Sequence, residues 1–220
     1  MPKVIESLQT ARVVSVAAGD SFSLVLTAEG HLYSFGYNDD GQLGLGHRNH
    51  VNVPQRVHGF DDVVTSVSAG SFHSAAITTG GRLWCWGYNS WGELGHGDTT
   101  DRTRPTAVAS TAQMTVKLVA AGYMCTLLVD ADDAIWMTGM LRISGPSSTT
   151  FTRVQIPGTP SRPPLRFAAA CLGTEHALAV TTDGGFFTWG RGGHGALGHG
   201  TTESIDVPAE VHALKNAHVT

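Results

Sequence analysis

Short apolar runs, each closed by a glycine, recur along this chain at residues 14–19, 65–70, 117–122 and 167–173. A second β-prone run follows each of them, at residues 23–27, 74–78, 126–129 and 177–181, too short for an ordinary helix and read as a strand. Turn chemistry comes next in Glu29-Gly30, Gly80-Gly81, Asp132-Asp133 and Asp183-Gly184, where acidic-Gly and Gly-Gly pairs permit the positive φ of a tight hairpin. A third strand is predicted at 32–35, 83–86, 135–137 and 186–189. It carries aromatics in every copy: Tyr33 and Phe35, Trp84 and Trp86, Trp136, then Phe187 and Trp189. Pro54, Pro105, Pro157 and Pro208 mark the way into a fourth, edge-like strand.

The spacing turns these runs into an array. Gly19, Gly70, Gly122 and Gly173 are separated by 51, 52 and 51 residues, Gly36, Gly87, Gly139 and Gly190 keep the same beat, and each proline lies 18 residues after a glycine of the second set. A unit of this size cannot bury its own apolar face and needs its neighbours. Four antiparallel strands per unit make a propeller blade, so the chain is expected to be all-β, with one continuous architecture over residues 1–220 and repeats at approximately 13–63, 64–115, 116–166 and 167–217.

The residues also carry a resemblance. The Ala-Gly that closes the first run, followed by His-Ser at 73–74, and the segments 36–44 (Gly-Tyr-Asn-Asp-Asp-Gly-Gln-Leu-Gly) and 87–95 (Gly-Tyr-Asn-Ser-Trp-Gly-Glu-Leu-Gly) resemble the repeat of the regulator of chromosome condensation (RCC1) family. The resemblance covers nearly the whole chain and implies an RCC1-like β-propeller, typically of seven blades. Residues 1–4 resemble the tail of a preceding repeat and 217–220 the start of a fifth. The expectation is therefore an incomplete part of a seven-bladed propeller, or an arc completed by another chain; a closed ring of four is the geometric alternative.

Composition narrows the function classes. Twenty-seven glycines suit many tight turns, and a net charge of −4 gives no electrostatic reason to expect nucleic acid or chromatin as a direct partner. Three cysteines without CxxC spacing indicate neither a disulfide framework nor a zinc ribbon. They fit a reducing compartment, cytoplasmic or nuclear. No apolar stretch reaches bilayer-spanning length, so no membrane partner is expected.

Candidate chemistry is sparse. No nucleophile elbow, Walker loop or His-Glu-x-x-His segment occurs, and the Gly-x-Gly pairs lie in blade loops outside any βαβ unit. No catalytic residue, cofactor or metal is expected, and the chain is read as no enzyme. His73 and His176 stand where other copies have Phe22 and Cys125, which fits packing, and His96 and His199 belong to different blades. Repeat three departs from the pattern: residues 139–148 replace the Gly-Tyr-Asn loop and its Gly-Gln-Leu-Gly sequel, and Arg142, Ile143 and Arg153 become candidate partner anchors. The proline-rich stretch 157–164 reads as a stiff connector.

In the exchange factor of the resembled family, the loops after each Ala-Gly face a GTPase and supply acidic residues. The resemblance thus points to Asp20, Ser21 and Glu175. Asp40, Trp91 and His194 complete the candidate partner-binding set on other blade loops. The reading is a noncatalytic scaffold that binds other proteins, a small GTPase or a multi-subunit assembly among them. The alternative is guanine-nucleotide exchange on a Ran-like GTPase, which the near-constant repeat spacing weakens because the exchange factor's wedge would show as extra residues.

Overall fold

In the computed structural model, which describes residues 4–141, 147–156 and 165–214, the predicted runs are strands of four meandering sheets. Blade 1 comprises β1 (Val13–Ala18), β2 (Phe22–Thr27), β3 (Leu32–Gly36) and β4 (Val51–Arg56). Blade 2 comprises β5 (Val64–Ala69), β6 (His73–Thr78), β7 (Leu83–Gly87) and β8 (Arg102–Ala107). Blade 3 has β9 (Val116–Ala121), β10 (Cys125–Asp130), β11 (Ile135–Gly139) and β12 (Ser148–Arg153), and blade 4 has β13 (Phe167–Leu172), β14 (His176–Thr181), β15 (Phe186–Gly190) and β16 (Ile205–Glu210). Every sheet pairs its strands antiparallel in chain order. The tight turn before each third strand holds a left-handed residue at one equivalent place: Gly30 (φ 74°), Gly81 (φ 78°), Asp133 (φ 61°) and Gly184 (φ 88°).

First strands meet first strands, β1 against β5, β5 against β9 and β9 against β13, so they line the axis and the fourth strands lie outermost. The arc is open rather than closed, which excludes the ring of four. Among the described residues no helix is long and apolar enough to cross a membrane.

The apolar cores lie between blades rather than within them. Leu24, Leu43 and Val51 of blade 1 pack with Ala76, Trp84 and Trp86 of blade 2. Ala75, Leu83 and Leu94 of blade 2 pack with Val119, Leu128 and Phe151 of blade 3. Leu127 and Ile135 of blade 3 pack with Phe167, Phe187 and Trp189 of blade 4. Each blade thus depends on its neighbours for burial, as the period implied.

The glycine loop of one blade docks on the next. Gln42 O accepts the Ser74 Oγ hydroxyl (2.8 Å) and the Trp86 indole Nε1–H (2.9 Å). One seam further on, Glu93 O accepts Thr126 Oγ1 (2.7 Å) and Gly92 O accepts Thr138 Oγ1 (2.8 Å). Main-chain bonds Gly46 N to Thr103 O (2.8 Å) and Gly97 N to Thr149 O (2.7 Å) complete each dock. We call residues 41–46, 92–97 and 195–200 the tongues.

Blade 3 corrects one landmark. β12 begins nine residues after Gly139, whereas β4, β8 and β16 begin fifteen residues after Gly36, Gly87 and Gly190. The shortened loop is made up after the strand, where thirteen residues separate Arg153 from Phe167 against seven between Arg56 and Val64. The constant period therefore conceals a transfer of chain from one end of the blade to the other. Ladder partners place Phe151, not Pro157, in the position of Pro54, Pro105 and Pro208. Pro157 and the rest of the 157–164 stretch lie outside the described residues.

Candidate functional site

Alternating strand directions bring two loops of each blade, β1–β2 type and β3–β4 type, to one end of the arc. Main-chain bonds tie them together: Tyr37 N to Ser21 O (2.8 Å), Tyr88 N to Phe72 O (3.0 Å), Met140 N to Met124 O (2.8 Å) and Arg191 N to Glu175 O (2.8 Å). The four turns after the axial glycines converge there around one depression of about 250 Å³. Asp20, Ser71, Tyr123 and Thr174 each contribute to its wall. The glycines make this convergence possible. A Cβ at Gly19 would lie 2.6 Å from Gly70 O, and one at Gly70 would collide with Gly122 O. Ser71 N donates to Gly122 O at 3.0 Å and Ser68 Oγ accepts from Ala121 N at 3.0 Å, so adjacent blades are stitched at the axis.

An aromatic ridge rises beside the depression. Phe72 packs tilted on Tyr123 (5.8 Å between ring centroids) and edge-on to Tyr88 (6.2 Å), spanning blades 2 and 3 with all three rings half-buried. Phe72 and Tyr123 stand in the turns that follow Gly70 and Gly122, and neither is among the partner-binding candidates of the sequence analysis. Their joint aromatic character across a seam was the overlooked signal.

The rim is charged and acid-rich. Asp39 accepts from Tyr37 Oη (2.8 Å) and pairs with His50 Nε2 (2.8 Å), which hold its carboxyl below the usual range, the tyrosine bond first. Arg48 reaches from blade 1 to Asp101 of blade 2 at 2.9 Å. Asp40, half-buried, is pushed upward by its desolvation and by the nearby Asp101 carboxylate. Behind it, fully buried Glu93 accepts Trp91 N on Oε2 (2.8 Å) while Oε1 has no partner, and burial pushes this carboxyl up to about 7.

The predicted residues divide between the ends of the arc. Asp20, Ser21 and His194 are exposed on this face, the last in a left-handed turn (φ 59°). Asp40 and Trp91 are half-buried on it, and Glu175 binds Arg191 at 2.5 Å there. Arg153 belongs elsewhere: it pairs with Trp136 at the opposite end of blade 3, so it joins no common surface with the others. Arg142 and Ile143 lie outside the described residues.

His73, His96 and His199 stay within the scaffold. His73 is buried, with Nε2 against Thr126 Oγ1 (2.8 Å) and Nδ1 unpartnered, so only one of its ring nitrogens is satisfied. His96 Nε2 meets Cys85 O (3.3 Å) and His199 Nε2 meets Thr188 Oγ1 (3.0 Å), each in its own blade. Among the described residues no group of three metal-ligating side chains occurs. Cys85 and Cys125 are buried free thiols, and Cys171 is exposed.

The model of the RCC1-like domain matches residues 1–220. The chain belongs to that family. It is 34% identical over 212 residues to the ultraviolet-B receptor UVR8 of Arabidopsis thaliana, covering 96% of this chain and 48% of the receptor. It is 31% identical over 224 residues to the human E3 ubiquitin-protein ligase HERC2, covering 99% of this chain and 5% of the ligase. Among solved structures, human WBSCR16 superposes with a TM-score of 0.84 at 27% identity, over 91% of this chain and 53% of that one. Yeast RCC1 (Prp20), solved with Kap60, gives 0.78 at 22% identity over 92% and 49%, a likeness of fold. The RCC1-like chain thus spans about half the length of UVR8 and a small part of HERC2.

Proposed function

We propose that this RCC1-like arc is a noncatalytic interaction module that binds a partner protein on the face carrying the axial depression. The observation that supports the reading most strongly is the convergence of four equivalent turns on one hollow, beside the Phe72–Tyr88–Tyr123 ridge. Half-buried aromatics flanked by charge are the groups from which protein interfaces draw most of their affinity. The scaffold behind them is stiff, because the tongues at 41–46 and 92–97 are bonded into the seams that follow them. The acid-rich rim favours a partner segment bearing Lys or Arg.

The test is site-directed photo-crosslinking in native extract from Tyr123 and Trp91 on this face and from Arg153 at the other end. Partner crosslinks from the first two positions and not the third are expected, and the pair Phe72→Ala with Tyr123→Ala should weaken binding by roughly tenfold or more. Crosslinks only from position 153 would overturn the assignment.

Guanine-nucleotide exchange on a Ran-like GTPase is the second reading. It draws on exposed Asp20 in the turn after the first axial glycine and on the likeness of fold to Prp20p of Saccharomyces cerevisiae, a protein with binding properties to Gsp1p and histones. Accelerated release of a labelled guanine nucleotide from such a GTPase would support it; an unchanged release rate would remove it.

A further inference from the structure

Blades 1 and 2 carry three acids that the fold does not require. Asp40, Glu93 and Asp101 stand where the equivalent positions of other blades hold no acid: Trp91 and His194 for the first, Gln42 and Ala196 for the second, His50 and Ser204 for the third. Gln42 shows what the turn needs at the second place. Its Oε1 accepts Asp40 N (3.0 Å), as Glu93 Oε2 accepts Trp91 N (2.8 Å), so a neutral amide performs the structural task and the charge of Glu93 is surplus to it.

Docking of the first tongue brings the three together. Gly41 lies so close to β8 that a Cβ there would stand 2.8 Å from Thr103, which sets Asp40 beside the strand entry that holds Asp101. Asp101 takes Asn89 N on Oδ1 (2.9 Å) and Arg48 on Oδ2 (2.9 Å), and its side chain is 22% exposed. Glu93 lies behind, fully buried, with Oε1 unpartnered and in the field of both other carboxylates. Arg48, the cation that the chain itself brings here, is spent on Asp101 and on the Asp39 carbonyl. The half-buried Asp40 carboxylate is left with no hydrogen-bond partner among the described residues.

Carboxylates this close disfavour one another's ionisation, and an opposite charge brought from outside relieves all of them at once. They come from three separate loop segments and form no set that could hold a metal ion, so the cation that suits them carries its own hydrogen-bond donors. We infer that this cluster is the subsite for a basic side chain, Lys or Arg, of the partner, gripped by Asp40 with Asp101 beside it and Glu93 behind. The charge-assisted bond forms at Asp40, whose oxygens are unclaimed. The inference rests on the partner-binding face proposed above and names the group that the partner brings to its rim.

The experiment is an NMR titration of the isotope-labelled chain with arginine amide. The backbone amides of Asn89 and Trp91, bonded to Asp101 and Glu93, are the reporters. Both should move along one saturable curve, and citrulline amide, which has nearly the same shape without the charge, should leave them in place. Asp40→Asn should weaken binding of arginine amide by roughly tenfold and Glu93→Gln by about threefold, while Asp20→Asn, on the same face but outside the cluster, should bind as the parent does. Both cluster variants should fold, as thermal melts will check: the first gives up no hydrogen bond and the second installs the residue that blade 1 carries as Gln42. No saturable movement, equal movement with citrulline amide or with calcium chloride, or undiminished binding by Asp40→Asn overturns the inference. The titration needs no partner, so the two readings fail separately. Crosslinks from Tyr123 without amide shifts would strike the subsite alone, and shifts without crosslinks the face alone.

Discussion

The Trp86 indole of blade 2 donates to the main-chain carbonyl of Gln42 in blade 1 at 2.9 Å, so a fully buried ring both fills the seam and bonds across it. Trp86→Ala should cost roughly 3–5 kcal/mol from the cavity alone. Trp86→Phe should cost only about 1–2 kcal/mol, because Gln42 O keeps its bond from Ser74 Oγ and is not orphaned. Chemical denaturation measures both. Equal losses would mean that the hydrogen bond, not the ring, holds the seam.

Glu93 predicts an unusual pH slope. It occupies the place of Gln42 but as an acid, buried, with Oε1 unpartnered, and its folded pKa rises from 4.5 to about 7. The folded state therefore binds more protons than the unfolded chain in that window, so this residue's contribution falls as pH rises from about 4.5 to about 7, by up to about 3 kcal/mol. Glu93→Gln should raise the melting temperature at about pH 8 and leave it little changed below about pH 4.5. A variant no more stable than the parent in mild alkali would refute the placement.

His73 works in the opposite direction. Burial lowers its pKa from 6.5 to about 4, so the unfolded chain binds the extra proton and stability is lost as pH falls from about 6.5 to about 4. Between about 4.5 and about 6.5 the two slopes oppose each other and partly cancel. His73→Phe, which installs the residue that blade 1 carries as Phe22, should uncover the Glu93 slope across that interval in a melting series. A profile identical to the parent's would contradict it.

How much of this was legible beforehand follows from what repeats and what does not. The blades were readable because each axial glycine is closely approached, Gly19 and Gly70 by the carbonyl of the next blade, Gly122 by the Leu172 side chain and Gly173 by the His176 ring, and so leaves one recurrent letter. Pro157 misled because spacing counts residues without seeing where a loop ends and a strand begins; six residues moved from before β12 to after it without altering the period. Asp20, Asp40, Trp91, Glu175 and His194 could be placed on one face from loop position alone. Arg153 could not, since its end of the blade depended on the strand boundary that the loop deletion had shifted. The Phe72–Tyr88–Tyr123 ridge joins three segments from two blades and has no local signature.

A pair of glycines with nearly the same backbone separates strain from docking. Gly44 (φ 72°) and Gly198 (φ 74°) hold equivalent tongue positions, so alanine at either carries the same left-handed penalty of about 1–2 kcal/mol. Their surroundings differ. A Cβ at Gly44 would stand 2.7 Å from the Trp86 indole nitrogen, inside a packed seam, while one at Gly198 finds only Val211 at 3.7 Å. Gly44→Ala should therefore lose a further 1–3 kcal/mol or so from overpacking, and Gly198→Ala should lose none within a single chain. Denaturation of the 220-residue chain should therefore rank Gly44→Ala clearly below Gly198→Ala. Equal losses at the two positions would contradict the packing of Gly44 against the Trp86 indole.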